Sequence, residues 1–235
     1  MSRFQSPMCS DCPRRKGPLM GCCQLEELGR IAGNKVAHAY QKGQVIFSEG
    51  SATLGMHCVH HGRIKVTRAG GDGKEQIVGL VKGGDSMGIR SLLTEARYST
   101  SAVALDDCVV CVVPRTDFLQ LVQSNLQFSV ALMQQLAQSL GEAEQRMLQL
   151  AYKPVRERLA EALLLLQRTF GQEDGAEPFS ILFSRDDLAA LVGTAKETAT
   201  RLLSELREDG TIDTRGSRIT LLAPERLARI SSQYD

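Results

Sequence analysis

The sequence predicts an α+β protein with a β-rich N-terminal half, one long helix and an α-rich C-terminal domain. Three observations predict it. Short β-branched segments punctuated by glycine run from His38 to Pro114, an apolar repeat with alternating spacings of four and three runs from Ser129 to Leu150, and a capped helix, a glycine turn and a second helix occupy Ser184 to Gly210. The 235 residues suffice for one large or two ordinary domains, each with its own core. The 28 basic residues nearly cancel the 27 acidic ones, so any footprint for nucleic acid must be local. No apolar run approaches the roughly 18 residues that span a bilayer, and the first residues lack the apolar centre of a signal peptide, so a soluble, cytoplasmic protein is expected.

Four of the seven cysteines, Cys9, Cys12, Cys22 and Cys23, crowd the N-terminus. In a reducing compartment such a group reads as thiolate ligands for a metal or an iron-sulfur cluster, or as a redox sensor, rather than as disulfides. The other three, Cys58, Cys108 and Cys111, lie in apolar, β-like sequence. Cys58 and Cys108 alternate with apolar residues and read as small core side chains. Cys111, taken alone, reads as core as well.

The expected strands are Gln44–Phe47, Met56–Val59, Gly62–Thr67, Gln76–Val81, Ser101–Leu105 and Cys108–Val113, whose even spacing implies a barrel, roll or sandwich. His57 and His60 stand three apart, so in a strand they face opposite sides. With His61 they read as surface or turn histidines rather than ligands of one metal. Beyond Pro114, the seam Ser129, Met133, Leu136, Leu140, Ala143, Met147 and Leu150 marks one face of a helix of ~7 turns. Such a seam, with no matching second helix in the chain, predicts pairing with another copy rather than packing on its own domain. Pro154 then ends or bends the path.

From Arg156 to Phe170 the chain is helical, with Leu159, Leu163, Leu166 and Phe170 at core spacing, and Gly171–Pro178 reads as a loop. Ser184 with Asp187 is an N-terminal cap for the helix Arg185–Val192. Gly193 supplies the turn, and the second helix, Lys196–Asp209, presents Lys196, Glu197, Thr200 and Arg201 at its start. In a helix-turn-helix these residues enter the major groove, where Arg201 suits guanine O6 and N7 and Glu197 suits cytosine N4. The plainer alternative is an i,i+4 surface ion pair between Glu197 and Arg201. Gly210–Gly216 and Ser217–Leu222 read as a following hairpin, the wing of a winged helix. Its Arg215 and Arg218 stand near phosphates, or are solvated turn charges.

Two stretches, Lys196-Glu-Thr-Ala-Thr-Arg201 and Lys42-Gly-Gln-Val-Ile-Phe47 with Gly62-Arg-Ile-Lys-Val66, resemble the recognition-helix and sensor signatures of the bacterial CRP/FNR superfamily of transcription regulators. The likeness covers nearly the whole chain. It implies a Cys-rich arm over 1–24, a β-roll sensor domain (double-stranded β-helix, cupin-like) over 25–123, a dimerisation helix over 124–153 and a winged helix-turn-helix domain over 154–235. It further implies a homodimer on a palindromic promoter site of double-stranded DNA, with RNA polymerase as a partner. No convergent nucleophile, base and oxyanion pattern occurs, so an enzyme is not expected.

Cyclic-nucleotide binders of that superfamily carry a Gly-Glu-Leu-Gly stretch and an arginine for the cyclic phosphate. Here the stretch is Gly84-Asp-Ser-Met-Gly88 and Tyr98 stands in the arginine's position, with Arg97 one residue away. A cyclic nucleotide is therefore not expected. The cysteines resemble those of the oxygen-sensing FNR branch: Cys9 and Cys12 match the close pair, and Cys111-Val-Val-Pro114 matches the context of the distant ligand. The resemblance implies a 4Fe-4S cluster on four thiolates. Its third N-terminal ligand falls on Cys22 or Cys23 and is assigned to Cys22, after a gap longer than the branch's usual one. A haem or nitric-oxide sensor, with a ligand among His57, His60, His61 or the cysteines, and a metal-free thiol-disulfide regulator remain the alternatives.

Overall fold

The computed structural model describes residues 8–71, 73–94, 97–174 and 178–232. Contacts divide the chain into two compact units. The first takes the described residues up to Arg68 together with Gly79–Gly141, and the second takes Ala69–Val78 with the described residues from Glu142 on.

The first unit opens with two 3-10 turns, Pro13–Lys16 and Met20–Cys22, and a helix α1 (Leu25–Asn34) that the sequence reading missed. A capping box starts α1: the Gln24 backbone N–H donates to Glu27 Oε2 at 2.7 Å. Eight strands follow: β1 (Val36–Tyr40), β2 (Val45–Phe47), β3 (Gly55–His61), β4 (Ile64–Ala69), β5 (Glu75–Val81), β6 (Ser86–Met87), β7 (Ser101–Ala104) and β8 (Cys108–Pro114). They form two four-stranded sheets, ordered β1-β8-β3-β6 and β2-β7-β4-β5. This is the expected β-roll, with β1 and the short β6 added to the anticipated strands. Inside the roll a core forms from Phe47, Val59, Ile64, Met87, Tyr98 and Val110.

A second core lies where helices cover the first sheet. After β6 comes the short α2 (Ile89–Leu93), and after β8 come α3 (Arg115–Ser124) and the long α4 (Leu126–Tyr152). Phe118 and Phe128 meet edge to face with centroids 6.1 Å apart, both fully buried, and Ile31, Met56 and Leu121 close round them. The break between α3 and α4 is Asn125, whose Oδ1 caps α4 by accepting from the Phe128 N–H at 2.9 Å. Along α4 the anticipated seam is open: Met133, Leu140, Met147 and Leu150 are 59%, 61%, 64% and 41% exposed. Only Phe128 and Leu132, near the start, are buried.

In the second unit α5 (Val155–Asp174) buries Leu159, Leu163, Leu166 and Phe170, as their spacing required. It runs to Asp174, so the loop expected from Gly171 begins later, and 175–177 lie outside the described residues. β9 (Ser180–Leu182), α6 (Arg185–Val192), α7 (Lys196–Glu208), β10 (Ile212–Arg215), β11 (Arg218–Leu221) and α8 (Pro224–Ser231) complete it. The hairpin β10-β11 is the expected wing. Unexpectedly, β9 pairs with β11 and makes a three-stranded sheet, Ile181 lying opposite Ile219.

Candidate thiol site and nucleic-acid interface

β3 and β8 pair antiparallel with Cys58 opposite Cys111, and the flanking partners continue the row: Ala37 of β1 faces Cys111, and Ser86 of β6 faces Cys58. Directly opposed residues share one face, so Ala37, Cys111, Cys58 and Ser86 form a line of small side chains across the sheet. The N-terminal arm lies over this line. Its backbone approaches so closely that a Cβ at Gly17 would stand 2.4 Å from the Gly84 carbonyl oxygen.

Between arm and sheet is a cavity of about 40 Å³ walled by four cysteines, Cys9, Cys12, Cys58 and Cys111. His60, Met20, Lys35 and Arg14 also reach it. The volume admits ~3 water molecules. Cys12 Sγ lies 3.3 Å from His60 Nδ1, and the Lys35 ammonium donates to Cys111 Sγ at 3.5 Å. Lys35 is 9% exposed, so this cation is held among the thiols rather than in water.

Burial pushes the Cys9 and Cys111 thiols up, and the neighbouring Lys35 charge opposes the rise at both. Cys58 is pushed up to about 12 by burial, against the Ser86 hydroxyl that donates to its sulfur at 3.8 Å. The thiols of Cys9, Cys58 and Cys111 are therefore protonated at neutral pH, and a metal would have to displace their protons. In kind and number the donors fit a tetrathiolate-held iron-sulfur cluster, and Lys35 and Arg14 supply positive charge beside what would be an anionic group. Among the described residues no three His, Cys, Asp or Glu side chains already stand close enough to hold a single metal ion.

The structure thus brings together Cys9, Cys12 and Cys111 of the expected ligands. Cys22 does not line the cavity: its thiol donates to the Pro18 carbonyl at 3.4 Å. Cys23 packs nearby, raised to about 12 by burial and then by the Glu27 carboxylate. Cys108 is core, as read from sequence, its thiol donating to the Arg63 and Asp106 carbonyls at 3.3 and 3.2 Å. Cys58, read the same way, instead reaches the cavity. Asn125 had not been singled out, although an Asn before an apolar helix start is an N-cap signal. Its Nδ2 donates to the Cys22 carbonyl at 3.0 Å and to Glu27 Oε2 at 2.8 Å. One side chain therefore ties the arm, α1 and the start of α4 together.

The interior of the roll is filled by aromatic rings. Phe47 stacks on Tyr98 at 4.2 Å and 18°, His57 packs against both, and the Tyr98 hydroxyl accepts from the Leu54 N–H at 3.3 Å. The expectation of a surface position for His57 is wrong: it is 2% exposed, and burial depresses its pKa to about 4 against the hydrogen bond it shares with the Gly55 carbonyl. His60 is half-buried, while His61 is exposed. Strand alternation had separated His57 from His60 correctly but could not say which side the roll would cover. Arg97 is exposed and donates to the Gly50 carbonyl at 3.0 Å.

In the second unit the helix-turn-helix forms as its spacing required. Ser184 Oγ accepts from the Asp187 N–H at 3.0 Å. Gly193 adopts φ +72, where an added Cβ would also meet Leu150 at 2.7 Å. On α7, Ala199, Leu202, Leu203 and Leu206 are buried, which turns Lys196, Glu197, Thr200 and Arg201 outward together. The anticipated alternative pairing of Glu197 with Arg201 does not form. Arg201 pairs instead with Glu205, and Lys196 reaches Asp186 at 2.8 Å. Glu197 is thus exposed at the start of α7, and the Arg201 guanidinium is held along the helix by Glu205. Arg215 pairs with Asp213 at 3.3 Å, and Arg218 donates to Ser180 Oγ at 3.4 Å, both from the wing.

Comparison with known proteins agrees with this architecture. Residues 37–125 match the cyclic nucleotide-binding domain family, and residues 157–230 match the Crp-like helix-turn-helix domain. The cyclic AMP receptor protein of Thermus thermophilus is 33% identical over 173 residues, 74% of this chain and 77% of that protein. The transcriptional activator protein FnrL of Cereibacter sphaeroides is 29% identical over 215 residues, 89% of this chain and 86% of its own. Among solved structures, FixK2 from Bradyrhizobium japonicum superposes with a TM-score of 0.74 at 26% identity, covering 86% of this chain and 99% of that one. With the roll, the long helix and the helix-turn-helix domain all matched, the chain belongs to the CRP/FNR family of DNA-binding transcription regulators.

Proposed function

We propose that the protein is a homodimeric regulator that senses oxygen or redox state through a thiolate-held 4Fe-4S cluster and reads a palindromic promoter site. The observation that carries the reading is the convergence of Cys9 and Cys12, from the arm, with Cys111, from β8, on one cavity beside Lys35. When bound, such a cluster supplies a centre whose loss on oxidation changes what holds the arm to the roll. By resemblance the fourth thiolate is that of Cys22; the cavity wall offers Cys58 instead. Each thiol gives up its proton on loading, so binding strengthens as pH rises.

Two features support this reading over a cyclic nucleotide, despite the domain match. Stacked Phe47 and Tyr98 fill the roll interior, and no arginine occupies the position of Tyr98. For the response, Asn125 is the physical link: it joins the Cys22 carbonyl to the first turn of α4. A change in how the arm is held alters that cap and biases pairing through the open seam of Met133, Leu140 and Met147. Paired α4 helices would present two recognition helices about one DNA turn apart, with Lys196, Glu197, Thr200 and Arg201 to the bases and RNA polymerase as the downstream partner.

Anaerobic purification followed by an absorbance spectrum and iron and sulfide analysis tests the proposal. Broad visible absorbance with matching iron and sulfide is expected. A Soret band would indicate haem, and neither iron nor sulfide would leave a thiol-disulfide regulator.

A further inference from the structure

We infer that the fourth ligand of the cluster is Cys58, so that Cys9 and Cys12 of the arm and Cys58 and Cys111 of adjacent strands form the ligand set. The inference rests on the cluster reading above and concerns which sulfurs hold it. Cys58 and Cys111 are opposed in the β3–β8 register, so the fold itself puts their side chains next to each other on the face the arm covers. Both wall the same cavity as Cys9 and Cys12. The neighbours of this pair in the row are Ala37 and Ser86, small enough to leave the sulfurs uncovered by the sheet.

Cys22 is worse placed on three counts. Its side chain is turned to the Pro18 carbonyl, its backbone carbonyl is held by Asn125, and it does not reach the cavity. Moving it inward would break the 3-10 turn Met20–Cys22 and the Asn125 link. Cys23 sits beside the Glu27 carboxylate, which opposes a thiolate there. At Cys58 the Ser86 hydroxyl already donates to the sulfur, as a ligating thiolate requires of its surroundings.

The consequence is a division of labour within the arm. The segment around Cys9 and Cys12 is held by the cluster directly, while Cys22 and Cys23 feel its loss only through the arm backbone that leads to them and on to Asn125. Two of the four ligands then belong to a rigid sheet, and the first arm segment is the part released directly when the cluster is lost.

The test uses the full chain, reconstituted anaerobically with ferrous iron and sulfide, and reads iron, sulfide and visible absorbance, with far-ultraviolet circular dichroism to report folding. The Cys22→Ser/Cys23→Ser double variant should match wild type. Cys58→Ser should keep its fold and lose iron and sulfide more than about tenfold. Loss of the cluster from the double variant overturns the assignment, as does full retention in folded Cys58→Ser. If Cys58→Ser fails to fold, the double variant decides alone: a loaded double variant leaves Cys58 as the cysteine that completes the cavity set. Failure of wild type to take up iron and sulfide would instead overturn the cluster reading, and the ligand set with it.

Discussion

Replacing Asn125 with alanine removes one side chain that makes three hydrogen bonds, and their strengths can be summed. The cap to the Phe128 N–H is worth about 1 kcal/mol. The bond to the Cys22 carbonyl contributes ~0.5–1.5 kcal/mol, and the charge-assisted bond to Glu27 ~1.5 kcal/mol, at the low end because Glu27 is partly solvated and keeps its bond from the Gln24 N–H. Asn125→Ala should therefore destabilise the first unit by about 3 kcal/mol, on the order of 100-fold in its opening equilibrium. Because two units need not unfold together, native-state hydrogen exchange is the suitable assay, read at the amides of α1 and the first turns of α4. Asn125→Asp sharpens the test: its carboxylate still caps Phe128 but cannot donate to Cys22 and repels Glu27. It should retain protection at α4 and lose it in the arm. If Asn125→Ala changes exchange in α4 by less than about 0.5 kcal/mol, or if Asn125→Asp frees α4 and arm alike, the linkage between them is not made by this residue.

Burying Leu140, which is 61% exposed, against a second copy is worth ~1–2 kcal/mol per protomer, so Leu140→Asp should weaken the dimer by more than about thirtyfold. A variant still dimeric by sedimentation at micromolar concentration would show that α4 is not the interface. Arg201→Ala should cost ~1–3 kcal/mol of DNA affinity and relax preference at one base pair, and selection from random DNA would reveal an unchanged preference if Arg201 serves only Glu205. Substitution of Arg215 or Arg218 should instead weaken all sequences alike and make the salt dependence shallower, as a titration across salt concentrations would show. His57 is neutral when folded and charges more readily when unfolded, since its folded pKa of about 4 lies below the unfolded 6.5. Stability is thus complete above the unfolded value and falls as pH drops towards 4, by ~3 kcal/mol in all. His57→Gln should flatten that part of the profile in denaturant titrations.

Much of this molecule is local in origin and so was legible along the chain. The glycine-punctuated strands, the seam on α4, the Ser184 cap and the Gly193 turn each depend on residues within a few positions, where side-chain period and backbone sterics decide the outcome. The outward face of Lys196, Glu197, Thr200 and Arg201 follows from the apolar spacing of Ala199, Leu203 and Leu206 on the opposite side. Tertiary structure decided what those periods leave open. Alternation puts Cys58 and Cys108 on faces of their strands but cannot say which face an arm will cover. The β3–β8 register set Cys58 against Cys111, and the path of the arm made a cavity there while Cys108 went into the core of the roll. The same holds for His57, buried by rings from β2 and the segment before β7. A sequence encodes which side of an element is apolar, whereas the identity of the group that packs on it depends on segments far away along the chain and exists only once they have met.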